Sequence, residues 1–242
     1  MKIEKLRELI AADDELRPHR EYIETLVKPS VVLEFADDAP SDLENRFGGN
    51  PAVPPGFAWP SHEVGEYRFL GQINFGEIDS GPFLLPTKGI LSLFYAYDKD
   101  GEVFWRDDGY ILGHYWPDLG ELKMMHPPSP YLPAKAPRKL RMTAGVDIPS
   151  DRELRNDWPF DTDLLYWLAE EGCFADDYLL GYPSFYTLAY DPTPGPEWIS
   201  LLTLKSHDEL EWCWHDGDKL MVFIETEKLK AKDFSSLKSD AG

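Results

Sequence analysis

The chain has 242 residues, of which 44 are acidic and 24 basic, giving a formal charge of −20. A field of that sign repels nucleic acid and anionic lipid, and it leaves a basic protein partner or simple solubility as its interpretations. Hydrophobic residues make up 43% and aromatic residues 14%, which excludes a largely disordered chain. Two cysteines, Cys173 and Cys213, are too few for a disulfide framework, and the sequence has neither a signal-peptide pattern nor an apolar run of membrane-spanning length. We therefore expect a cytoplasmic protein with no nucleic-acid or membrane partner.

The first elements in chain order are two short predicted helices. Apolar residues at positions 3, 6, 9 and 10 have helical spacing, and a second helical run extends from Pro18 to Val27 before Pro29 ends it. The sequence then becomes β-branched and aromatic, with Gly, Pro and Asp between the runs. This texture predicts strands over residues 30–35, 67–75, 89–97, 102–107 and 110–116, with Lys99–Asp100–Gly101 as the turn of a hairpin.

A proline-rich segment divides these strands from a second set. HPPSPYLPAKAP (126–137) has five prolines and predicts a polyproline-like surface connection that docks through Tyr131 and Leu132. DTDLLYWLAEEG (161–172) has a polar start, an apolar middle and a glycine stop, which predict a helix. Further strands are predicted over residues 182–190, 198–205, 210–215 and 219–225.

The two sets of strands resemble each other. YRFLGQINFGEID followed by LPTKGILSLFYAYD parallels EWISLLTLKSHDE followed by HDGDKLMVFIETE. We interpret this as an ancient duplication, with chance similarity as the alternative. The predicted fold class is α+β: β-rich, mostly antiparallel sheets built from two pseudo-symmetric repeats, with N-terminal helices and one later helix. Residues 1–242 would form a single domain, with a helical lead at 1–28, repeat one at about 47–107 and repeat two at about 181–237.

The segment FGGNPAVPPGFAWPSH (47–62) is the most unusual stretch of the chain. A phosphate loop presents free backbone N–H groups with a lysine behind them, whereas the prolines here remove those donors and no Gly-Lys-Ser/Thr follows. Gly48 and Gly49 permit unusual backbone angles, while Trp59 offers a large apolar surface. We predict a structural clamp on a sheet, and a rigid recognition edge is the alternative. Its residues are Gly48, Gly49, Pro51, Pro54, Trp59 and Pro60.

The segment HDELEWCWHDGD (207–218) has the richest set of chemical groups. Its spacing matches no compact metal signature, so the prediction is a hairpin with a solvated acidic tip and no metal. On a strand Trp212 and Trp214 would share one face, and Cys213 and His215 the other. A Cys–His nucleophile would need a third, orienting group, so no catalytic residue is assigned.

Several motifs in order resemble the YwqG-like family, a bacterial domain of unknown function. They are FGGNPAVPPGFAWP, FLGQINFGEI, LPTKGILSLFY, LLGYP and WHDGDKLMVFIETEKLKAKDFSSL, which together span about Phe47 to Leu237. Val53 and His215 depart from the family pattern, and Tyr186 or Thr187 and Thr203 stand where relatives have glutamines. The resemblance implies a β-rich duplicated fold in which Gly181, Tyr182 and Pro183 repeat the clamp in reduced form. It implies no reaction, and it suggests an immunity-like or accessory protein.

These observations favour a non-catalytic binding protein that holds a basic protein partner without a cofactor. The alternative is a small-molecule binder or enzyme that uses a groove between the two repeats. The candidate binding residues are Gln72, Asn74, Trp214, His215 and Asp216. An enzyme would bring Gln72, His215 and Asp216 together in one cleft.

Overall fold

A computed structural model describes residues 1–63, 65–78, 84–98, 100–128, 135–150, 158–161, 163–185 and 187–242. The predicted turn residue Lys99, the predicted docking residues Tyr131 and Leu132, and Tyr186 lie outside these ranges. The α-helices are α1 (Ile3–Ala12), α2 (Arg20–Thr25), α3 (Asp163–Glu170) and α4 (Thr226–Ala231). No helix in the described part of the chain has both the length and the apolar character of a membrane span.

The described residues are otherwise dominated by strands. These are β1 (Lys28–Phe35), β2 (Arg46–Phe47), β3 (Ala52–Val53), β4 (Ser61–His62), β5 (Gly65–Asn74), β6 (Ile90–Tyr97), β7 (Ile111–Trp116), β8 (Lys123–Met124), β9 (Arg138–Asp147), β10 (Tyr178–Leu180), β11 (Trp198–Lys205), β12 (Lys219–Glu225) and β13 (Lys238–Ala241).

The main sheet has eleven strands, in the order β13-β12-β11-β10-β1-β9-β2-β5-β6-β7 with β4 on β5, while β3 pairs with β8 separately. Every strand pair in the described residues is antiparallel. The sheet curves into a nearly closed barrel. Its two ends approach each other where Gly113 of β7 lies against Phe234 and Leu237, just before β13. The prediction of a β-rich, antiparallel fold with N-terminal helices is confirmed. The prediction of a single later helix is wrong, because the short helix α4 follows β12 in addition to α3.

Two large cores hold most of these elements, and a third, small cluster contains Phe185, Met221 and Phe223. Strand side chains from both ends of the sheet form the larger core, to which β6 contributes Leu91, Leu93, Phe94, Tyr95 and Ala96. The helices form a smaller core in which Leu6, Ile10 and Ile23 pack with Leu165 and Leu168 of α3. The helical spacing of the first residues therefore serves a helix-on-helix contact.

Three predicted strands are wrong, and side-chain chemistry explains the first. Residues 102–107 form turns, because the Asp98 carboxylate accepts the backbone N–H groups of Asp100, Glu102 and Val103. An Asp side chain that satisfies nearby backbone donors competes with strand pairing. The strand that pairs with β6 is β7 instead.

The other two corrections come from left-handed backbone. In residues 182–190 no described residue is in a strand, since Leu180 (φ +61°) and Gly181 (φ +71°) turn the chain out of the sheet at the end of β10. In residues 210–215, Glu211 (φ +55°) and His215 (φ +48°) are left-handed, so the segment forms a 3₁₀ turn and a loop. Left-handed residues cannot continue a strand.

Candidate functional site

The two glycines of the 47–62 segment have the backbone angles that the sequence predicts. Gly48 (φ +66°) donates its N–H to the Leu70 carbonyl, and Gly49 has φ +73°. A Cβ atom on Gly48 would lie 2.9 Å from Leu210 Cδ2, and one on Gly49 would lie 2.8 Å from Pro137 Cβ. Both conformation and space therefore require glycine at this turn.

The prolines of the segment fix its path through their carbonyl groups. The Pro51 carbonyl accepts the Met125 N–H, and the Pro54 carbonyl accepts the Phe57 N–H within the loop. Each proline lacks a donor of its own but keeps its acceptor, so it can still be held by neighbouring backbone.

Trp59 attaches the end of this segment to the sheet. Its indole Nε1 donates to the Tyr67 carbonyl at 2.8 Å, and its ring meets Phe94 edge-on at 5.5 Å between centroids. The Pro60 carbonyl accepts the Tyr67 N–H, which adds a second bond to the same strand. The indole is half-buried, so one face of the clamp remains open to solvent.

Gln72 lies in the middle of β5 and is fully buried. Its amide nitrogen donates to the carbonyls of Asp42 and Glu44 at 3.1 and 3.0 Å, and its amide oxygen accepts the Ala52 N–H at 3.3 Å. All of these bonds hold the preceding loop against the strand, so the side chain faces no groove.

Asn74 follows the same pattern two residues later. Its amide nitrogen donates to the Leu43 carbonyl at 3.0 Å, its amide oxygen accepts the Gly76 N–H, and its own N–H is received by Asn45 Oδ1 at 2.6 Å. Both asparagine side chains also donate to the carboxylate of Glu77. Burial raises the pKa of the Glu77 carboxyl.

Arg46 is a central residue of this network that the sequence reasoning missed. Only 1% of the residue is exposed, and its guanidinium donates to the carbonyls of Ser41 (3.1 Å), Asp42 (2.7 Å) and Asn50 (2.6 Å). Burial lowers the pKa of Arg46 to about 10. The only signal in the sequence was an arginine directly before Phe47 and the two glycines of the turn. We call Asn45, Arg46, Gln72, Asn74 and Glu77 the loop-holding network.

The loop between β11 and β12, residues 206–218, packs two tryptophans into the core. The Trp212 ring meets Phe47 at 5.3 Å, and the Trp214 ring meets Tyr95 at 5.3 Å. Ser206 Oγ holds the loop closed, because it accepts the Trp214 N–H at 2.8 Å. The loop thus joins the C-terminal strands to residues of β2 and β6.

His207 and Asp177 form a buried pair at the base of this loop. His207 Nε2 lies 2.7 Å from Asp177 Oδ2, and Asp177 Oδ1 accepts the Lys205 N–H at 2.8 Å. The imidazole also packs against Phe35 at 4.8 Å between ring centroids. These contacts orient the histidine within the core and fix the start of the loop.

A narrow cleft opens beside the glycine turn. The cleft measures about 30 Å³, space for one or two water molecules. Its charged residues are Arg68 and Lys135, and Lys135 forms an ion pair with Glu211 that holds the pKa of this carboxyl below its usual range. Its other walls are formed by Gly48, Gly49, Trp59, Phe69, Tyr95, Pro127, Leu210 and Trp212.

The second glycine motif, Gly181, Tyr182 and Pro183, lies at the end of β10 and contacts the end of β9. A Cβ atom on Gly181 would lie 2.5 Å from Asp147 Oδ2, and the same oxygen accepts the Tyr182 N–H at 2.8 Å. The Tyr182 hydroxyl donates to the Leu26 carbonyl at 2.7 Å, and Pro183 follows, half-buried. Burial raises the pKa of Asp147 to about 6.

Exposed aromatic and acidic side chains meet at the tip beyond Trp214. Phe104 is 54% exposed, and the neighbouring Trp105 ring lies 5.7 Å from the His215 ring. Ser239 Oγ donates to the Trp105 carbonyl, while Tyr190, 43% exposed, donates to Asp240 at 2.7 Å. We call this surface the acid–aromatic face: Phe104, Trp105, Asp107, Asp108, Tyr190, His215 and Asp216.

Comparison with models of protein families gives a match over most of the chain. The model of a domain of unknown function, DUF1963, matches residues 45–239. The chain belongs to the DUF1963 family. No curated protein matches it.

Within this DUF1963 domain the predicted binding residues fall into three places. Gln72 and Asn74 belong to the loop-holding network, Trp214 is in the core, and His215 and Asp216 are at the tip. In the described residues no hydrogen bond or ion pair links the first two to the last two. Nor do the described residues contain a group of three or more His, Cys, Asp or Glu side chains placed to hold a metal.

Proposed function

We propose that this DUF1963 protein is a non-catalytic cytoplasmic binding protein, of the immunity-like or accessory kind, whose acid–aromatic face holds a basic protein partner. The observation that carries the proposal is the pairing of solvent-exposed Phe104 and half-buried Trp105 with surrounding carboxylates. Aromatic side chains at the centre of an interface provide most of the binding energy in many complexes.

The backbone under these aromatics is held in place before any partner arrives. The Asp107 carboxylate accepts the Phe104 N–H at 2.8 Å, and the Asp98 carboxylate accepts three further N–H groups of the same loop. A loop that is already ordered loses less conformational entropy on binding. The contact between Trp105 and His215 connects this loop to the tip of loop 206–218, so both parts of the chain contribute to the surface.

The charge on the face selects the chemistry of the partner. The Asp216 side chain is 94% exposed, and the contact of Asp108 with Lys238 is long, at 3.6 Å. Together with the formal charge of −20, these carboxylates attract Lys- and Arg-rich surfaces and speed their association at low salt.

The proposal is tested by crosslinking inside the cells from which the protein comes. A photoreactive residue replaces Phe104 in one protein, and Tyr166 of α3, also exposed, in a matched control. We expect one Lys/Arg-rich polypeptide to be captured from position 104 and not from position 166. The purified pair should lose affinity when Asp108→Asn and Asp216→Asn are combined, and the parent complex should weaken with rising salt. Equal capture from both positions, or none from position 104, would contradict the proposal.

We further propose that the domain is YwqG-like and arose by duplication. Strand order supports this, since it has corresponding members on either side of the β1·β9 pair: β10, β11, β12 and β13 on one side, and β2, β5, β6 and β7 on the other. Both long hairpins have a pairing irregularity, between Phe69 and Gly71 and between Ser200 and Leu202. A left-handed glycine follows β2 and β10 alike.

The alternative function, a small-molecule or enzymatic site in a groove between the two halves, is supported by the narrow cleft. Arg68 gives it a positive charge in an acidic protein, while the charge of Lys135 is balanced by its ion pair with Glu211. Its volume of about 30 Å³ suits an occupant of the size of a small ion or a water molecule.

A further inference from the structure

Two lysines face each other across the hairpin of β11 and β12. Lys205 ends β11, Lys219 begins β12, and the register of the two strands places them directly opposite each other. Residues in such a position carry their side chains on the same face of the sheet, with Cβ atoms roughly 4.5–5.5 Å apart. Like charges directly opposite each other are unfavourable, so a carboxylate between the two ammonium groups stabilises the pair.

Asp176 supplies that carboxylate, but it serves the two lysines unequally. Its Oδ2 accepts a hydrogen bond from Lys205 Nζ at 2.6 Å, and this bond raises the pKa of Lys205. Its Oδ1 lies 3.9 Å from Lys219 Nζ, which is too long for a hydrogen bond. Lys219 has no second ion-pair partner among the described residues. One carboxylate therefore neutralises Lys205 and leaves Lys219 with a weak contact.

The other carboxylates near Lys219 are engaged elsewhere. Asp177 binds His207, and Asp147 accepts the Tyr182 N–H. Burial lowers the pKa of Lys219, and the opposing attraction of the nearby aspartates does not cancel this effect. A larger fraction of this amine is therefore unprotonated and nucleophilic near neutral pH than in an ordinary lysine.

The amine is nonetheless within reach of small molecules in solvent. The Lys219 side chain is 23% exposed, and the carboxylate that its Nζ approaches belongs to a side chain, that of Asp176, which is 59% exposed. The nitrogen therefore lies at the surface end of a side chain that is otherwise largely covered. A small electrophile can approach it without opening the core.

We propose that Lys219 is a modification site that reacts with small aldehydes. Its unprotonated Nζ adds to the carbonyl carbon, the carbonyl oxygen leaves as water with the two amine protons, and a C=N bond joins the nitrogen to that carbon. Desolvation and a neighbouring cation are features that activate lysines for this chemistry in enzymes. The proposal goes beyond protein binding at the acid–aromatic face and uses none of the residues of that face.

The test measures the aldehyde reactivity of each lysine in the folded full chain. The protein is treated with acetaldehyde and sodium cyanoborohydride at about pH 7.5, so that each imine is reduced to a stable secondary amine, and peptide mass spectrometry gives the initial rate at each lysine. We expect Lys219 to react about fivefold faster than Lys232, an exposed lysine that serves as the internal control. The difference should disappear when the protein is unfolded in urea.

Two substitutions should change the rate at Lys219 in opposite directions. Lys205→Met frees Asp176 to bind Lys219, so the modification of Lys219 should become about threefold slower. Asp176→Asn removes the negative charge beside the amine and should make it about threefold faster. Lys232 should react at the parent rate in both variants, which shows that the chain is still folded and the reagent unchanged. A rate at Lys219 no higher than that at Lys232, or one that neither substitution changes, would overturn the proposal.

Discussion

The loop-holding network and the acid–aromatic face are both rich in polar side chains, but they use them in opposite ways. Gln72 and Arg46 are buried, and their amide and terminal guanidinium groups bond to backbone carbonyls of residues 41–50. Asp216 is almost fully exposed, and its contact with His215 is long, at 3.7 Å. Whether a polar residue in a motif stabilises the fold or is free to bind a partner can therefore be decided only once its hydrogen-bond partners are known. The side chains of the loop-holding network spend their hydrogen bonds on the protein's own backbone and so stabilise the fold. The exposed side chains of the acid–aromatic face keep their polar groups in solvent.

Removing Arg46 should have the largest effect on stability. Arg46→Met keeps the length of the side chain but leaves the carbonyls of Ser41, Asp42 and Asn50 without their donor, so we expect a loss of about 4 kcal/mol in the free energy of unfolding. Urea denaturation measures it, with Arg106→Met at an exposed position as the control. An Arg46→Met protein as stable as this control would contradict the structural role of the network.

The clamp tryptophan should come second. Trp59→Ala removes a half-buried indole and its bond to Tyr67, at an expected cost of about 3 kcal/mol. Trp59→Phe keeps an aromatic ring and loses only the Nε1 donor, so we expect about 1 kcal/mol. Equal losses for both variants would show that the ring packing against Phe94 contributes little.

Asp147 should have a smaller effect that depends on pH. Burial raises its pKa in the folded state to about 6 from an ordinary 3.8, so ionisation opposes folding. Its contribution to stability is fully present below about pH 4 and is lost as the pH rises through 6. Asp147→Asn keeps an acceptor for the Tyr182 N–H and should add about 2 kcal/mol at pH 8 with little gain at pH 4. Denaturant unfolding at both pH values checks this, and parallel pH profiles for parent and variant would refute it.

Substitutions in the acid–aromatic face should have the smallest effect on stability. Phe104→Ser combined with Asp216→Asn should change the free energy of unfolding by less than about 0.5 kcal/mol, because neither side chain is part of a core. The same double variant should lose the partner captured from position 104. Strong destabilisation of this double variant would show that Phe104 stabilises the fold. It would contradict the distinction between the acid–aromatic face and the loop-holding network.

The regular elements follow largely from local sequence, and the errors come from particular side chains. The periodicity of residues 3–10 and the apolar runs of β5, β6, β11 and β12 gave the correct element types. Residues 102–107 do not form the predicted strand because the Asp98 carboxylate accepts hydrogen bonds from the backbone N–H groups there. Composition alone does not reveal such an interaction. Residues 210–215 do not form the predicted strand because Glu211 and His215 have left-handed backbone, a conformation that neither residue type predicts.

Two central strands were missed for opposite reasons. RKLRMTAGVD (β9) alternates apolar and polar residues and could have been identified, whereas β10 has three residues and depends on its neighbours β1 and β11. The site was harder to predict than the fold. Gln72 resembles a ligand-binding residue until its partners, about thirty residues away in sequence, are known. The acid–aromatic face joins Trp105 to His215, a contact that only the folded chain creates.

The near closure of the sheet affects how the chain folds as it leaves the ribosome. Strand β7 packs through Gly113 against Phe234 and Leu237, and Trp105 is held by Ser239, 134 residues later. Until this last segment has been synthesised, β7 is an unprotected strand edge on a nascent chain, and such edges pair readily with other chains. Ribosomes stalled before codon 234 should therefore present a species that chaperones recognise, and chains completed through residue 241 should not.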